Sequence, residues 1–347
     1  MHEVISDIHR WLTAGEEVVL ATVVSTWGSS PRAVGAKMAI TIDAKIAGSV
    51  SGGCVEGAVI ESGLRMLQTG IPQLLHFGVA DETAFNIGLA CGGNIEVYIK
   101  NIEPDQFERI RAQIKTGAAT AIVTVIDGPQ ELIGCEMLYT ATGKFGAPMP
   151  PELDSIAKKL AKEGLRRNQS MSTEIQLAGK DDVRLFTDII APQPKLVIIG
   201  GVHIAITLST LAKALGYRTV VIDPRKAFNT QERFPQVDEL IQAWPEEAME
   251  EIDLSSSTAV AVLTHDPKID DPAIKTVLGS DVFYVGALGS RKTHQKRVQR
   301  HLAAGVTPEQ LERLHAPIGL QLGGRIPEET ALEIMAQIIA VRNGQSS

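Results

Sequence analysis

The rhythm of apolar and polar positions changes near residue 190. Beyond it, Leu196–Ile199, Thr219–Ile222, Ala259–Leu263 and Val282–Val285 are short apolar runs with little polar alternation, the pattern of strands buried on both faces. Between the first two, Ile204, Leu208, Leu211, Ala212 and Leu215 recur at helical spacing, and Gly216 supplies a stop. Lys292–Ala303 and Pro327–Val341 also read as helices; Pro327 falls in a first turn, where its missing N–H costs nothing. Strands alternating with helices predict a parallel sheet covered on both faces. The stretch Asp188–Lys195 (DIIAPQPK) places two prolines within three residues between apolar runs, a stiff connector that predicts domains at 1–190 and 191–347.

Residues 1–190 mix strands, helices and glycine turns, an α+β pattern with an internal echo. Gly35–Thr41 (GAKMAIT), followed by IDAKIAG, resembles Gly134–Thr140 (GCEMLYT), followed by ATGKFGA. A β-rich run precedes each (VVLATVVS and TAIVTVID), and a helical segment follows near 54–69 or 151–166. This predicts a degenerate duplication of a β-hairpin-plus-helix unit. Shared features then belong to the scaffold, whereas those of one copy need another reason. The first copy alone carries Gly28-Ser-Ser-Pro-Arg32 and Ser51-Gly-Gly-Cys-Val-Glu56, so the chemistry is expected there.

Composition narrows the classes. With 347 residues, 44% hydrophobic and 21% charged, the chain has enough apolar content for sizeable cores, which excludes a largely disordered protein. A net charge of -8 opposes wrapping of nucleic acid. Three cysteines do not make a secreted disulfide framework. No apolar run approaches the ~20 residues of a membrane span, and the start MHEVISDIHRW has neither a basic opening nor an apolar signal core. The expectation is a soluble, reduced, cytoplasmic protein.

Ser51-Gly52-Gly53-Cys54-Val55-Glu56 connects a predicted strand, Lys45–Val50, to a helix running to about Leu67. Adjacent glycines let N–H groups converge on an anion, and a helix N-terminus adds positive potential. Cys54 falls where a thiol's pKa drops and the thiolate becomes a nucleophile or soft metal ligand. Glu56 suits the first turn as a dipole partner or proton acceptor. The competing reading is a tight glycine turn with a buried, inert cysteine. Cys91 stands in a second Cys-Gly-Gly, ahead of a strand at Ile95–Ile99, and by itself reads as a free core cysteine. No zinc-ligand spacing is present. Cys135 aligns with Ala36 of the other copy and reads as packing. Arg32 is a candidate for holding a phosphate or carboxylate, provided its turn faces the Cys54 loop.

In the second domain, Gly200-Gly201-Val202-His203-Ile204-Ala205 occupies the first strand-to-helix turn, where a dinucleotide fold carries G-x-G-x-x-G/A. Gly200 and Ala205 fit, whereas Val202 stands where glycine normally lets the backbone approach a pyrophosphate. Asp223 sits where an acid bonds a ribose 2′-OH, with Arg225 suited to a 2′-phosphate, and His203 is a phosphate contact or a cap. His265 follows another predicted strand, near the carboxyl edge of the sheet where ligands bind. Gly286–Lys292, with Arg291 and Lys292, opens a helix as an anion cradle. A scaffold used without cofactor is the competing reading.

The phrases GSSPRAVGAKM, SGGCVEGAV, ACGG, GGVHIAITLSTLAKALGYRTVVIDPR, LTHDP, GALGSRKTHQKR and HAPIGLQLGGRIPEETALEIMAQIIA resemble the XdhC/CoxI family. They cover both ends of the chain; 101–190 carries little of the resemblance, and Val202 departs from the family's G-x-G-H turn. The resemblance implies an accessory factor for molybdenum hydroxylases such as xanthine dehydrogenase. Such a factor binds molybdenum cofactor (molybdopterin), assists its sulfuration and delivers it to the apo-enzyme, and it is a cofactor-binding chaperone rather than an enzyme. The implied partners are an apo molybdenum hydroxylase, a cysteine desulfurase and a second copy of the chain as a homodimer. On this view Cys54 lies next to the metal, Arg32 and the Ser51–Gly53 backbone contact the anion, Glu56 assists proton transfer and Cys91 is secondary. The alternatives are an NAD(P)-dependent oxidoreductase using Gly200, Asp223 and His265, and a scaffold that only docks proteins. The chain is short, and its cysteines too few, for the iron–sulfur redox chain of a xanthine dehydrogenase.

Overall fold

A computed structural model describes residues 1–28, 32–53, 55–78, 93–140, 143–146, 149–177 and 182–345. The chain divides into two compact units, Met1–Pro192 and Gln193–Ser347.

The first unit runs α1 (Ile5–Thr13), β1 (Val18–Trp27), β2 (Lys37–Thr41), β3 (Ile46–Gly48), α2 (Glu56–Thr69), β4 (Gln73–Phe77), β5 (Asn94–Asn101). It then repeats as α3 (Pro104–Thr116), β6 (Thr120–Asp127), β7 (Glu136–Thr140), β8 (Gly143–Gly146), α4 (Pro151–Arg167), β9 (Met171–Gln176), β10 (Asp182–Ile190). Among the described residues these strands form two antiparallel sheets ordered β3-β2-β1-β5-β4 and β8-β7-β6-β10-β9, the same topology twice. The hairpin-plus-helix echo in the sequence is thus a repeated fold, extended in each copy by a leading helix and two trailing strands. One face of each sheet packs on its own helix: Val19, Ala21, Val23, Met38 and Ile40 on Val59 and Met66 of α2, and Ala121, Val123, Val125 and Leu185 on Leu153, Ala157 and Ala161 of α4. Alternate residues turn away from the helix, as the two-residue period of a strand requires. Where the copies meet, Val24, Tyr98, Ile126 and Phe186 form a small shared apolar cluster.

The same meeting surface holds two ion pairs of exchanged polarity, one buried and one partly buried. Lys37 lies opposite Thr22, and Glu136 opposite Thr124, so the two are equivalent positions. Lys100, opposite Leu20, is likewise equivalent to Asp188, opposite Ile122. Across the copies, Lys37 Nζ meets Asp188 Oδ2 at 2.7 Å, and Lys100 pairs with Glu136. Each cation comes from the first copy and each anion from the second.

The second unit runs β11 (Lys195–Ile199), α5 (His203–Ala214), β12 (Arg218–Ile222), β13 (Glu239–Ile241), α6 (Pro245–Glu251), β14 (Thr258–Val262), α7 (Pro267–Leu278), β15 (Tyr284–Ala287), α8 (Arg291–Ala303), α9 (Pro308–Leu311), β16 (Leu314–His315), α10 (Pro327–Arg342). Among the described residues the sheet is parallel, ordered β13-β12-β11-β14-β15-β16, the doubly wound order of a dinucleotide fold. Val197 and Ile199 face a core with α6 and α7, while Leu196 and Ile198 face one with α5 and α10. Both faces are covered, which is why these strands read as unbroken apolar runs. The predicted strand at Val282–Val285 lies two residues early, because Val282 is buried ahead of β15. Helix α7, with Pro272 inside it, is not among the elements read from the sequence.

Candidate functional site

In the first unit, β3 leads through Ser49–Gly53 into α2, whose N-cap Val55 makes no side-chain cap. Glu56, the first helical residue, folds back and caps the turn itself. Its Oε1 accepts from Ser49 Oγ and Ser51 N, each at 2.9 Å; its Oε2 accepts from Ser51 Oγ at 2.6 Å and Gly53 N at 2.9 Å. Four donors fill the four lone-pair directions of one carboxylate. Burial opposes ionisation, but the hydrogen bonds from Ser51 and Ser49 outweigh it and hold the Glu56 carboxyl down at about 2. This geometry gives the turn an internal partner. Glu56 is a saturated anion that fixes the turn. The N–H groups of Ser51 and Gly53 serve that internal carboxylate instead of an incoming anion, and Gly52 is exposed between them.

Cys54 and Cys91 lie outside the described residues; the neighbours of Cys54 are exposed Gly53 and fully buried Val55. Arg32 pairs with Glu3 near the start of the chain. Cys135 is partly buried against the core of the second copy. Among the described residues, no three His, Cys, Asp or Glu side chains gather as a metal site, and no helix is long and apolar enough to cross a membrane.

In the second unit, β11 ends at Gly200-Gly201, next to the switch point between β11 and β14. Gly200 has φ +105, and a Cβ there would lie 2.4 Å from Thr264 Cγ2; one on Gly201 would lie 2.2 Å from the Phe228 carbonyl oxygen. Packing within the protein therefore accounts for both glycines. Asp223, fully buried just past β12, accepts from Arg225 N and Nε at 2.9 Å on Oδ1, and from Arg225 Nη2 at 2.7 Å and Gly201 N at 2.8 Å on Oδ2. Burial would raise its pKa, but the Arg225 fork and the two N–H groups prevail and lower it. The acid expected to hold a ribose hydroxyl is thus saturated, and the arginine expected at a 2′-phosphate is its partner. His203, exposed at the start of α5, stands 3.6 Å from Glu328. His265, at φ +66, follows β14, and Arg291 is the exposed first residue of α8. Arg225 as a clamp on Asp223 was legible only as an i+2 neighbour, a spacing with no distinctive signal.

Fold and turns together define a two-unit protein: a duplicated antiparallel α+β unit and a Rossmann-type unit whose nucleotide turn is closed from within. Residues 11–78 match the XdhC and CoxI family, and residues 196–338 match the XdhC Rossmann domain. The chain belongs to the XdhC and CoxI family. It is 29% identical to a protein of Bacillus subtilis named as a probable xanthine dehydrogenase component, across 94% of each chain. It is 25% identical to the molybdenum cofactor insertion chaperone PaoD of Escherichia coli, across 95% of this chain and 85% of that one. A crystal structure described as a xanthine dehydrogenase from Bacillus halodurans shares the fold with TM-score 0.80 at 22% identity, covering 99% of this chain and 96% of the other.

Proposed function

We propose that this chain is a cytoplasmic accessory factor that binds molybdenum cofactor as cargo, assists its sulfuration and inserts it into a molybdenum hydroxylase of the xanthine dehydrogenase type. The observation that carries this reading is the end-to-end likeness to a relative named as a molybdenum cofactor insertion chaperone. On this reading Cys54 is the metal-proximal thiolate, since soft metals favour sulfur and a helix N-terminus favours its ionised form. Arg32 supplies an anion contact by exchanging Glu3 for the cargo. The four bonds of Glu56 support the role of Cys54 in a different way from a cradle: they hold the turn that carries it. A cysteine desulfurase is the source of the sulfur, Cys91 is a secondary thiol, and the working form is a homodimer.

The test is retention of molybdopterin-bound molybdenum by the purified chain, with activation of an apo hydroxylase as a second readout. Cys54→Ala is expected to lower retention at least about tenfold, the size of a lost metal-site contact. Undiminished retention and activation would remove the role of Cys54. Failure of the unaltered chain in both assays would remove the chaperone reading itself. Added NAD or NADP is expected to leave retention unchanged, because Asp223 has no free lone pair for a ribose.

A further inference from the structure

The turn before α8 contrasts with both turns described above, because among the described residues no carboxylate fills it. Leu288 and Gly289 follow β15, and Ser290 caps α8, its Oγ accepting from Thr293 N at 3.1 Å. Beside this turn, at the carboxyl ends of β14 and β15, lies a cavity of about 300 Å³ lined by His265, Asp270, Lys292, Lys296, Arg297 and Arg300, with Ser290 at its edge. Helix α8 (RKTHQKRVQRHLA) carries Arg291, Lys292, Lys296, Arg297 and Arg300 and no acid, in a chain of net charge -8.

Pairing the charges leaves a surplus of two. Arg300 is engaged by Asp271 through Nε and Nη2, the latter at 2.9 Å. Arg297, its side chain 2% exposed, meets Asp270 only at 3.4 Å. Its Nη2 also donates to the Leu288 carbonyl at 3.0 Å, whereas Nε and Nη1 have no hydrogen-bond partner among the described residues. A buried guanidinium with unmade bonds is costly unless an acceptor is supplied from elsewhere. Lys292 and Lys296, exposed at the same cavity, take part in no ion pair among the described residues. Gly289, at φ +145, is required by the turn itself: a Cβ there would lie 3.2 Å from Thr293 Cγ2.

We propose that this cavity is a phosphate site, taking inorganic phosphate or the phosphomonoester end of a small molecule. A phosphate dianion matches the charge of Lys292 and Lys296, offers acceptors to Arg297, and sits at a helix N-terminus whose dipole favours it. The site lies within the second unit and is independent of the cargo role given to Cys54.

The experiment is calorimetric titration of the purified full-length chain with inorganic phosphate, glycerol phosphate and a nucleoside 5′-monophosphate at constant ionic strength. A parallel NMR titration follows the Arg297 Nε–H resonance. Saturable binding is expected, weakened about tenfold or more in K292Q/K296Q, the effect of removing charged hydrogen-bond partners. Both lysines are exposed, so this variant keeps the fold, whereas Arg297→Gln would leave Asp270 buried without its cation. Phosphate is also expected to shift the Arg297 signal, which loose attraction to surface lysines would not do. Equal affinity for all three probes identifies the bare phosphate group as what the site reads, and binding of the esters alone identifies an organic phosphate. No saturable binding at millimolar concentration, undiminished binding in K292Q/K296Q, or an unmoved Arg297 resonance would overturn the proposal.

Discussion

The two glycine-rich turns, Ser49–Glu56 in the first unit and Gly200–His203 in the second, reach the same local solution by different routes. Each follows a strand, opens a helix and directs backbone N–H at a carboxylate of the protein, from Ser51 and Gly53 in the first and from Gly201 in the second. Glu56 arrives from the helix itself, and its four donors are neutral hydroxyls and amides, so that turn keeps a net negative charge. Asp223 arrives from the neighbouring strand and brings Arg225 with it, so that turn is neutral and its acid fully buried. Paired glycines before a helix therefore predict converging donors but not whose acceptor they meet. In both turns the converging donors are already met by a carboxylate of the protein, so neither is the open anion nest that its glycines suggest.

This comparison can be broken by removing either acid. The largest effect is expected from Asp223→Ala, which strips a buried N–H of Gly201 and the Arg225 fork of their acceptor at once. Because Arg225 is partly solvated, the cost should fall near the lower end for broken buried pairs, about 3 kcal/mol. Hydrogen exchange of β11 and β12 amides would measure it unit by unit, since a two-unit chain need not unfold in one step. A loss below about 1 kcal/mol would mean that other contacts hold this turn.

Glu56→Gln should cost less, about 1–2 kcal/mol, because the carboxylate is partly solvated and its linkage energy is screened. The amides of Ser51 and Gly53 should exchange faster in that variant, and unchanged protection would show the carboxylate to be incidental. The pH dependence has a definite sign. The folded Glu56 carboxyl lies at about 2 against an ordinary 4.5, so its stabilisation is complete above 4.5 and disappears as pH falls from there toward 2. Unaltered protein should lose stability through that window relative to Glu56→Gln, and a gap that widens on acidification would contradict the assignment. The smallest effect belongs to His203→Ala: its contact with Glu328 is exposed on both sides, and thermal unfolding should stay within about 0.5 kcal/mol of the parent.

What the residues declared by themselves is local and periodic. Apolar runs with both faces buried disclosed β11, β12 and β14, and helical spacing disclosed α5 and α10. The echo of Gly35–Thr41 in Gly134–Thr140 disclosed the duplication, because hairpin register and glycine turns are written in consecutive positions. Less regular segments escaped, such as α7 with its internal Pro272. The chemistry of the polar residues also escaped, for a different reason. A charge acquires its role from the partner the fold brings to it, and that partner is seldom a neighbour in sequence. Lys37 and Glu136 occupy matching places in the two copies, yet only assembly of the sheets shows that Asp188 neutralises one and Lys100 the other. Arg297 sits on a plainly basic helix, yet only burial against Asp270 singles it out from the exposed Arg291 that opens the same helix. Periodicity thus fixed where elements run, while the tertiary structure alone decided which lone pairs and protons were already spoken for, because hydrogen-bond saturation depends on distances of about 3 Å between groups that chain order does not bring together.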